Sequence, residues 1–300
     1  MRRLAAVALM LGTLAGHVRG QSGPGGSETW QVLEAWGRLP AGLEWGAASQ
    51  ISTTPDGQIV VLRRSNPAFL LLDPDGELVN SWGEDLFRLA HGLRIDRDGF
   101  IWVTDNTDNF VQKFSPDGQI LMTLGRRGVA GDNRARDAFD GPADAFVATN
   151  GDVYVADGYR NSRVVRFSKE GEFISIIGGT KGSGPGEFNV PHAVVVDSRG
   201  RVIVADADNG RIQVFDREGT FLEQWTDFPS NPRGSMYILP DDTLYVSHVD
   251  TEAITVMRDG RVIDTIAGIG GRPHGVTLDR QGHVYVANPA SRSVKKIVKR

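Results

Sequence analysis

A hairpin turn followed by a valine-rich strand recurs six times along the chain, and this repetition limits the fold more than any other feature. Aligned on the turn, the units read TTPDGQIVVLRRSN, RIDRDGFIWVTDNTDN, VATNGDVYVADGYRNS, VVDSRGRVIVADADNG, ILPDDTLYVSHVDT and TLDRQGHVYVANPASR. Their shared position is Gly57, Gly99, Gly151, Gly200, Asp242 and Gly282, at intervals of 42, 52, 49, 42 and 40 residues. Each unit has an alternating apolar strand, an Asp-Gly or Asn-Gly type of turn, a second strand, a polar loop and a third strand. A second turn and a fourth strand follow in most, as in FSPDGQILMTLG, FSKEGEFISIIG and FDREGTFLEQW. Four short antiparallel strands in about 40 to 45 residues make a propeller blade. No amphipathic helix separates the units, which excludes a parallel α/β fold.

The chain therefore reads as all-β, a single six-bladed β-propeller over residues 29–300. Its blades fall at about 48–83, 90–125, 142–178, 191–225, 232–268 and 273–299. The sixth unit ends in SVKKIVKR without a fourth strand, whereas TWQVLEAW (Thr29 to Trp36) is a strand without a unit. Pairing the two closes the ring and covers an edge that would otherwise invite aggregation.

Arg2 and Arg3 precede an apolar run, Leu4 to Ala15, that is too short to span a bilayer. Small and polar residues follow through Gln21, so residues 1–21 have the order of a secretory signal peptide, and residues 22–28 read as a flexible leader. Cleavage would remove three positive charges and take the formal charge from −4 to about −7. An acidic chain argues against nucleic acid as a partner. With no cysteine, any metal site must use histidine and carboxylates, and disulfides are excluded. The expectation is a secreted or periplasmic monomer, with no integral membrane segment after cleavage, acting on a small molecule or peptide.

In a blade, the loop leading into the first strand and the loop leaving the second lie on one face. At the first of these, within one residue, the units carry Ser49, His91, Ala143, His192, Arg233 and His274. Histidines thus occupy units two, four and six, which are related by about a third of a turn around the axis. Three imidazoles can then converge on the channel, as a three-histidine metal site with an open fourth position requires. Taken singly, a histidine after proline caps or packs a loop. Five histidines lie beyond the leader, and three at equivalent places on alternate blades form a pattern. His248 and His283 fall outside it and read as structural or solvent-facing.

Six residues past the turn position stand Arg63, Asp105, Asp157, Asp206, His248 and Asn288. Repeated aspartate at a strand end is a turn cap. Arg64 and Tyr159 depart from the repeat; a surface salt bridge for the arginine and rim packing for the tyrosine are the alternatives to a functional role.

The segments LAHGLRIDRDGFIWVTDN, VYVADGYRNSRVVRFS, FNVPHAVVVD and ADNGRIQVF resemble the lyase domain of the peptide α-amidating enzymes, peptidyl-α-hydroxyglycine α-amidating lyase, within the wider NHL-repeat propellers. The likeness runs from about Gln58 to Lys296 and is strongest in DGYRNSR and the two PH elements. It implies zinc held by His91, His192 and His274, Tyr159 as base, and Arg64 binding the substrate carboxylate. The family's second arginine falls at Ala207, with Arg211 close by as a candidate substrate-binding residue. Its acidic calcium ligand falls at Gly275, although Leu93 retains the backbone carbonyl for a possible calcium. The disulfides of animal members are missing. The implied reaction cleaves the N–C bond of a carbinolamide to an amide and glyoxylate. The rival readings are a non-catalytic NHL propeller binding protein or glycan, and a metal-dependent lactonase-type propeller that would place Glu, Asn and Asp around the axis.

Overall fold

The computed structural model describes residues 30–300; the expected signal peptide (1–21), the expected leader (22–28) and Thr29 lie outside the described residues. Six four-stranded antiparallel sheets make the fold. Their innermost strands, Ala48–Thr53, Ala90–Ile95, Pro142–Val147, Pro191–Val196, Met236–Ile238 and Gly275–Leu278, neighbour one another in a closed ring. In five sheets the chain runs from the inside outward. In the sixth, Trp30–Leu33 forms the outermost strand against Ser293–Lys299, with Trp30 opposite Lys299 and Leu33 opposite Lys296. The N-terminal strand thus closes the propeller. It ends before Trp36, where the chain turns and the Trp36 ring packs edge-on against Tyr285 at 5.0 Å.

The shared turn position has a left-handed backbone in all six blades: Gly57, Gly99, Gly151, Gly200 and Gly282 at φ from 80° to 93°, and Asp242 at 63°. A side chain there costs about 1–2 kcal/mol, least for Asn or Asp. Asp242 uses its carboxylate, which accepts the Ser198 amide and hydroxyl at 2.8 and 2.7 Å from the neighbouring blade.

The core consists of apolar seams between adjacent blades. One seam joins Val164 and Ile177 of blade 3 to Val202 and Val204 of blade 4; another joins Ile203 and Ile212 of blade 4 to Val246 and Met257 of blade 5. Every second strand, such as Val153–Asp157 and Val202–Asp206, is buried along its whole length, because neighbouring blades cover both of its faces. Outermost strands alternate instead, leaving Val79, Leu121, Ile174, Leu222 and Ile263 exposed. Among the described residues, the only helical element is a 3₁₀ turn, Ala207–Asn209.

The two loops on the functional face are hydrogen-bonded to each other. Backbone amides of Arg64, Asn106, Tyr159 and Ala207 donate to the carbonyls of Ala47, Leu89, Gly141 and Val190 at 3.0–3.1 Å. Each exit-loop side chain is thereby held beside the residue that opens its own inner strand.

Candidate metal centre

Four of the six innermost strands begin with a register shift, between Ala90 and Leu93, Pro142 and Asp144, Pro191 and Ala193, and Ala48 and Gln50. His91, Ala143, His192 and Ser49 lie within these irregularities. A bulge re-aims a side chain that regular pleating would send elsewhere. His91 and His192 use it to face the axis.

There they meet His274. The ring centroids of His91, His192 and His274 lie 5.0, 5.1 and 5.3 Å apart, close to an equilateral triangle. One ligand nitrogen from each falls within 4.8 Å of the others. Each Nδ1–H donates to a backbone carbonyl of the next blade: His91 to Ala143 at 2.8 Å, His192 to Gly234 at 3.1 Å, His274 to Ser49 at 2.8 Å. This fixes the tautomer and ring plane and leaves each Nε2 without a proton, its lone pair able to accept.

Burial holds all three imidazoles neutral. His91 is driven well below the usual histidine range, first by burial and then by His274, His192 and Arg64. His192 is pushed down to about 4 by burial, with Arg233 and Arg64 adding to the effect. His274 is pushed down to about 3, again by burial and then by His192 and Arg64. Three neutral, oriented imidazoles with no proton of their own at Nε2 are a donor set for a borderline cation such as zinc.

Tyr159 stands over this triangle. Its hydroxyl lies 2.8 Å from His91 Nε2 and 3.1 Å from His192 Nε2. One side of its ring is open, at 37% exposure, while the hydroxyl points inward. Burial raises the phenol above its ordinary value, against the opposing pull of Arg64 and Arg233. The loop that carries it is tightly fitted. A Cβ on Gly158 would lie 2.0 Å from the Pro191 carbonyl oxygen, so only glycine fits before the tyrosine. Arg160 ties the same loop to Asp140, to the Asn106 carbonyl at 2.8 Å and to the Asn109 side chain at 2.9 Å.

A cavity of about 210 Å³ opens beside His274, lined by Arg64, Tyr159, Arg233, Arg272 and Val249. Arg64 donates only a long bond, 3.3 Å, to the Ala90 carbonyl, and among the described residues no carboxylate pairs with it. Arg233 pairs with Asp208, and Arg272 with Asp250 at 3.0 Å. The cavity therefore presents three guanidinium groups, one of them unneutralised, and suits an anionic ligand.

The structure brings His91, His192, His274, Tyr159 and Arg64 to one place. Arg211 is not with them, which corrects its reading as a substrate-binding residue. Its guanidinium is spent within blade 4 on Asp206 at 2.8 Å, on the Ser183, Gly184 and Glu187 carbonyls and on Gln224. Arg163, which opens the third strand of blade 3 as Arg211 opens that of blade 4, is tied down in the same manner to Asp157 and to the Ala138 carbonyl, so this arginine has a structural place in its blade. The repeated aspartates are caps: Asp105 accepts the Arg88, Leu89, Thr107 and Asp108 amides. His248 bonds Thr255 at 2.8 Å and His283 bonds Asp279 at 2.9 Å. Leu93 is buried in the seam between blades 1 and 2, its backbone opposite Val103. Sequence reasoning missed Arg233 and Arg272. The signal for Arg233 was its place in the aligned series, as the only charged residue among the odd-numbered blades.

Comparison with known proteins gives the same architecture. Residues 87–114 match the NHL repeat family, and residues 144–254 a family described as a 6-bladed beta-propeller. NHL repeat-containing protein 3 of Homo sapiens is 33% identical over 254 residues, covering 77% of this chain and 73% of that protein. The probable peptidyl-alpha-hydroxyglycine alpha-amidating lyase of Caenorhabditis elegans is 33% identical over 211 residues, covering 62% of this chain and 60% of the relative. Peptidyl-glycine alpha-amidating monooxygenase B of Xenopus laevis is also 33% identical over 76% of this chain, but the chain spans only 28% of that protein. Among solved structures, a streptogramin B lyase superposes with a TM-score of 0.65 over 90% of this chain and 98% of its own, at 15% identity, a likeness of fold.

Proposed function

The chain belongs to the NHL-repeat family of six-bladed β-propellers, and on that premise we propose that it is a zinc-dependent lyase that cleaves an α-hydroxyglycine carbinolamide into an amide and glyoxylate. The observation that carries the reading is the Tyr159 hydroxyl, 2.8 and 3.1 Å from two of three convergent histidine nitrogens, beside an unpaired arginine. The likeness to a protein named as an amidating lyase supports it. Export from the cytoplasm is part of the proposal and rests on residues 1–21 alone.

His91, His192 and His274 would hold the zinc through Nε2. When bound, zinc supplies a positive charge that polarises the carbinol oxygen and favours the phenolate of Tyr159 over the phenol. Arg64 binds the substrate carboxylate by a two-point hydrogen bond, and Arg233 lines the same cavity. Tyr159 takes the carbinol O–H proton as the C–N bond breaks. The bonding pair leaves with nitrogen, a carbonyl forms at the former carbinol carbon, and the same proton passes to the departing amide. The reaction needs neither water nor a co-reactant.

The test is glyoxylate release from a peptidyl α-hydroxyglycine, before and after metal removal and after zinc is restored. Release that disappears with the metal and returns with zinc supports the lyase. No release by the zinc-loaded protein refutes it and leaves a binding propeller.

A further inference from the structure

The resemblance to the amidating lyases implies a calcium ion as well as zinc, with the Leu93 carbonyl and an acidic residue at the position of Gly275 among its ligands. The residues present do not fit it. Gly275 offers no carboxylate, and its place has no room for one: a Cβ there would lie 2.7 Å from Gln50 Oε1 and 2.8 Å from Gln50 Cα. Calcium takes about six to eight oxygen ligands, with carboxylates prominent. Among the described residues, the three histidines are the only cluster of metal-binding side chains that forms.

A buried ion pair joins the inner strands nearby in sequence to Leu93. Arg94 follows Leu93 on the inner strand of blade 2 and reaches Asp144 on the inner strand of blade 3. Its Nε donates to Oδ1 at 3.1 Å and its Nη2 to Oδ2 at 2.7 Å, a two-point fork. The side chains are 12% and 3% exposed, and the guanidinium lies over the Phe146 ring at 5.9 Å. Asp144 Oδ2 also accepts the Val194 amide of blade 4 at 3.2 Å, and Oδ1 its neighbour Ala145 at 3.0 Å. One carboxylate thus joins three successive inner strands, and its oxygens are fully engaged.

We propose that the Arg94 guanidinium is the built-in structural cation of this propeller, and that the folded protein takes no calcium. The inference concerns the scaffold and does not depend on which reaction the histidine site performs. Breaking a buried pair from one side is strongly destabilising, because it strands the other charge. The fork that Arg94 makes is specific to a planar guanidinium.

The experiment uses the full chain loaded with zinc. After equilibration with millimolar calcium, wild type should contain no stoichiometric calcium by elemental analysis, and its Tm should match that in calcium-free buffer. Arg94→Ser should lower Tm by on the order of 10 °C. Stoichiometric calcium with a raised Tm in wild type, or an Arg94→Ser protein as stable as wild type, would overturn the proposal. If Arg94→Ser does not fold, the wild-type calcium measurement decides alone.

Discussion

Acidifying the metal-free protein should destabilise it well before its carboxylates titrate. His192 and His274 are fully buried and neutral, with values pushed down to about 4 and about 3 from the ordinary 6.5. Above that ordinary value the imidazoles are neutral in the folded and unfolded chain alike, so the stability is fully present. Below it the unfolded chain binds protons that the folded chain refuses until pH falls to about 4 or 3, and stability drains across that window. At about pH 5 each group has lost roughly 2 kcal/mol, at 1.36 kcal/mol per unit, or about 4 kcal/mol for the pair. His91 shifts in the same direction and adds to the loss. For a domain of this size that is a fall in Tm of roughly 10 °C. The assay is thermal unfolding in chelator at a series of pH values between about 7.5 and 5, for wild type and for a His192→Gln, His274→Gln double variant. The variant should show a much shallower slope. A wild-type Tm that stays flat over this range, or a variant with the wild-type slope, would show that the imidazoles are not held neutral by burial.

Two further outcomes test the chemistry. Tyr159→Phe should lower kcat for glyoxylate release by about 10² or more, as loss of a positioned base does, with zinc content unchanged by elemental analysis; a variant with wild-type kcat would remove tyrosine from the reaction. Arg64→Ala should raise KM by about 10- to 100-fold, the loss of a charge-assisted hydrogen bond, and Arg233→Ala by less, since Asp208 already shares its charge; steady-state kinetics that show a lower kcat at unchanged KM would contradict a binding role.

The repeat made most of the fold legible, because a turn that needs a left-handed residue leaves a glycine or aspartate in the sequence at a fixed place. Gly57 through Gly282 mark the hairpins for that reason, and Asp242 is the exception that an acidic side chain tolerates. The alternation of histidines was legible once those turns were aligned. What the alignment hid was the fate of long side chains. Arg211 and Arg233 look equally available in sequence, yet one sits at a strand end where carbonyls and Asp206 consume it, and the other leads into a strand that faces the cavity. Arg94 was silent for a similar reason. Its partner Asp144 is 50 residues away and meets it only when the inner strands line the axis.

The same packing explains why three histidines, and not six, surround the axis. Each Nδ1–H is bonded to the carbonyl at the corresponding position of the following blade, so every histidine needs a neighbour that contributes backbone rather than a ring. Ala143 and Ser49 are small at those positions and leave their carbonyls open to the imidazoles. With centroids already 5.0 to 5.3 Å apart, three rings fill the space that six would have to share. Blade 5 meets the same requirement with Gly234, one residue later, and that offset frees Arg233 to point at the cavity. The three odd-numbered blades thus orient the three histidines through their backbones, and one of them also adds a positive charge to the cavity.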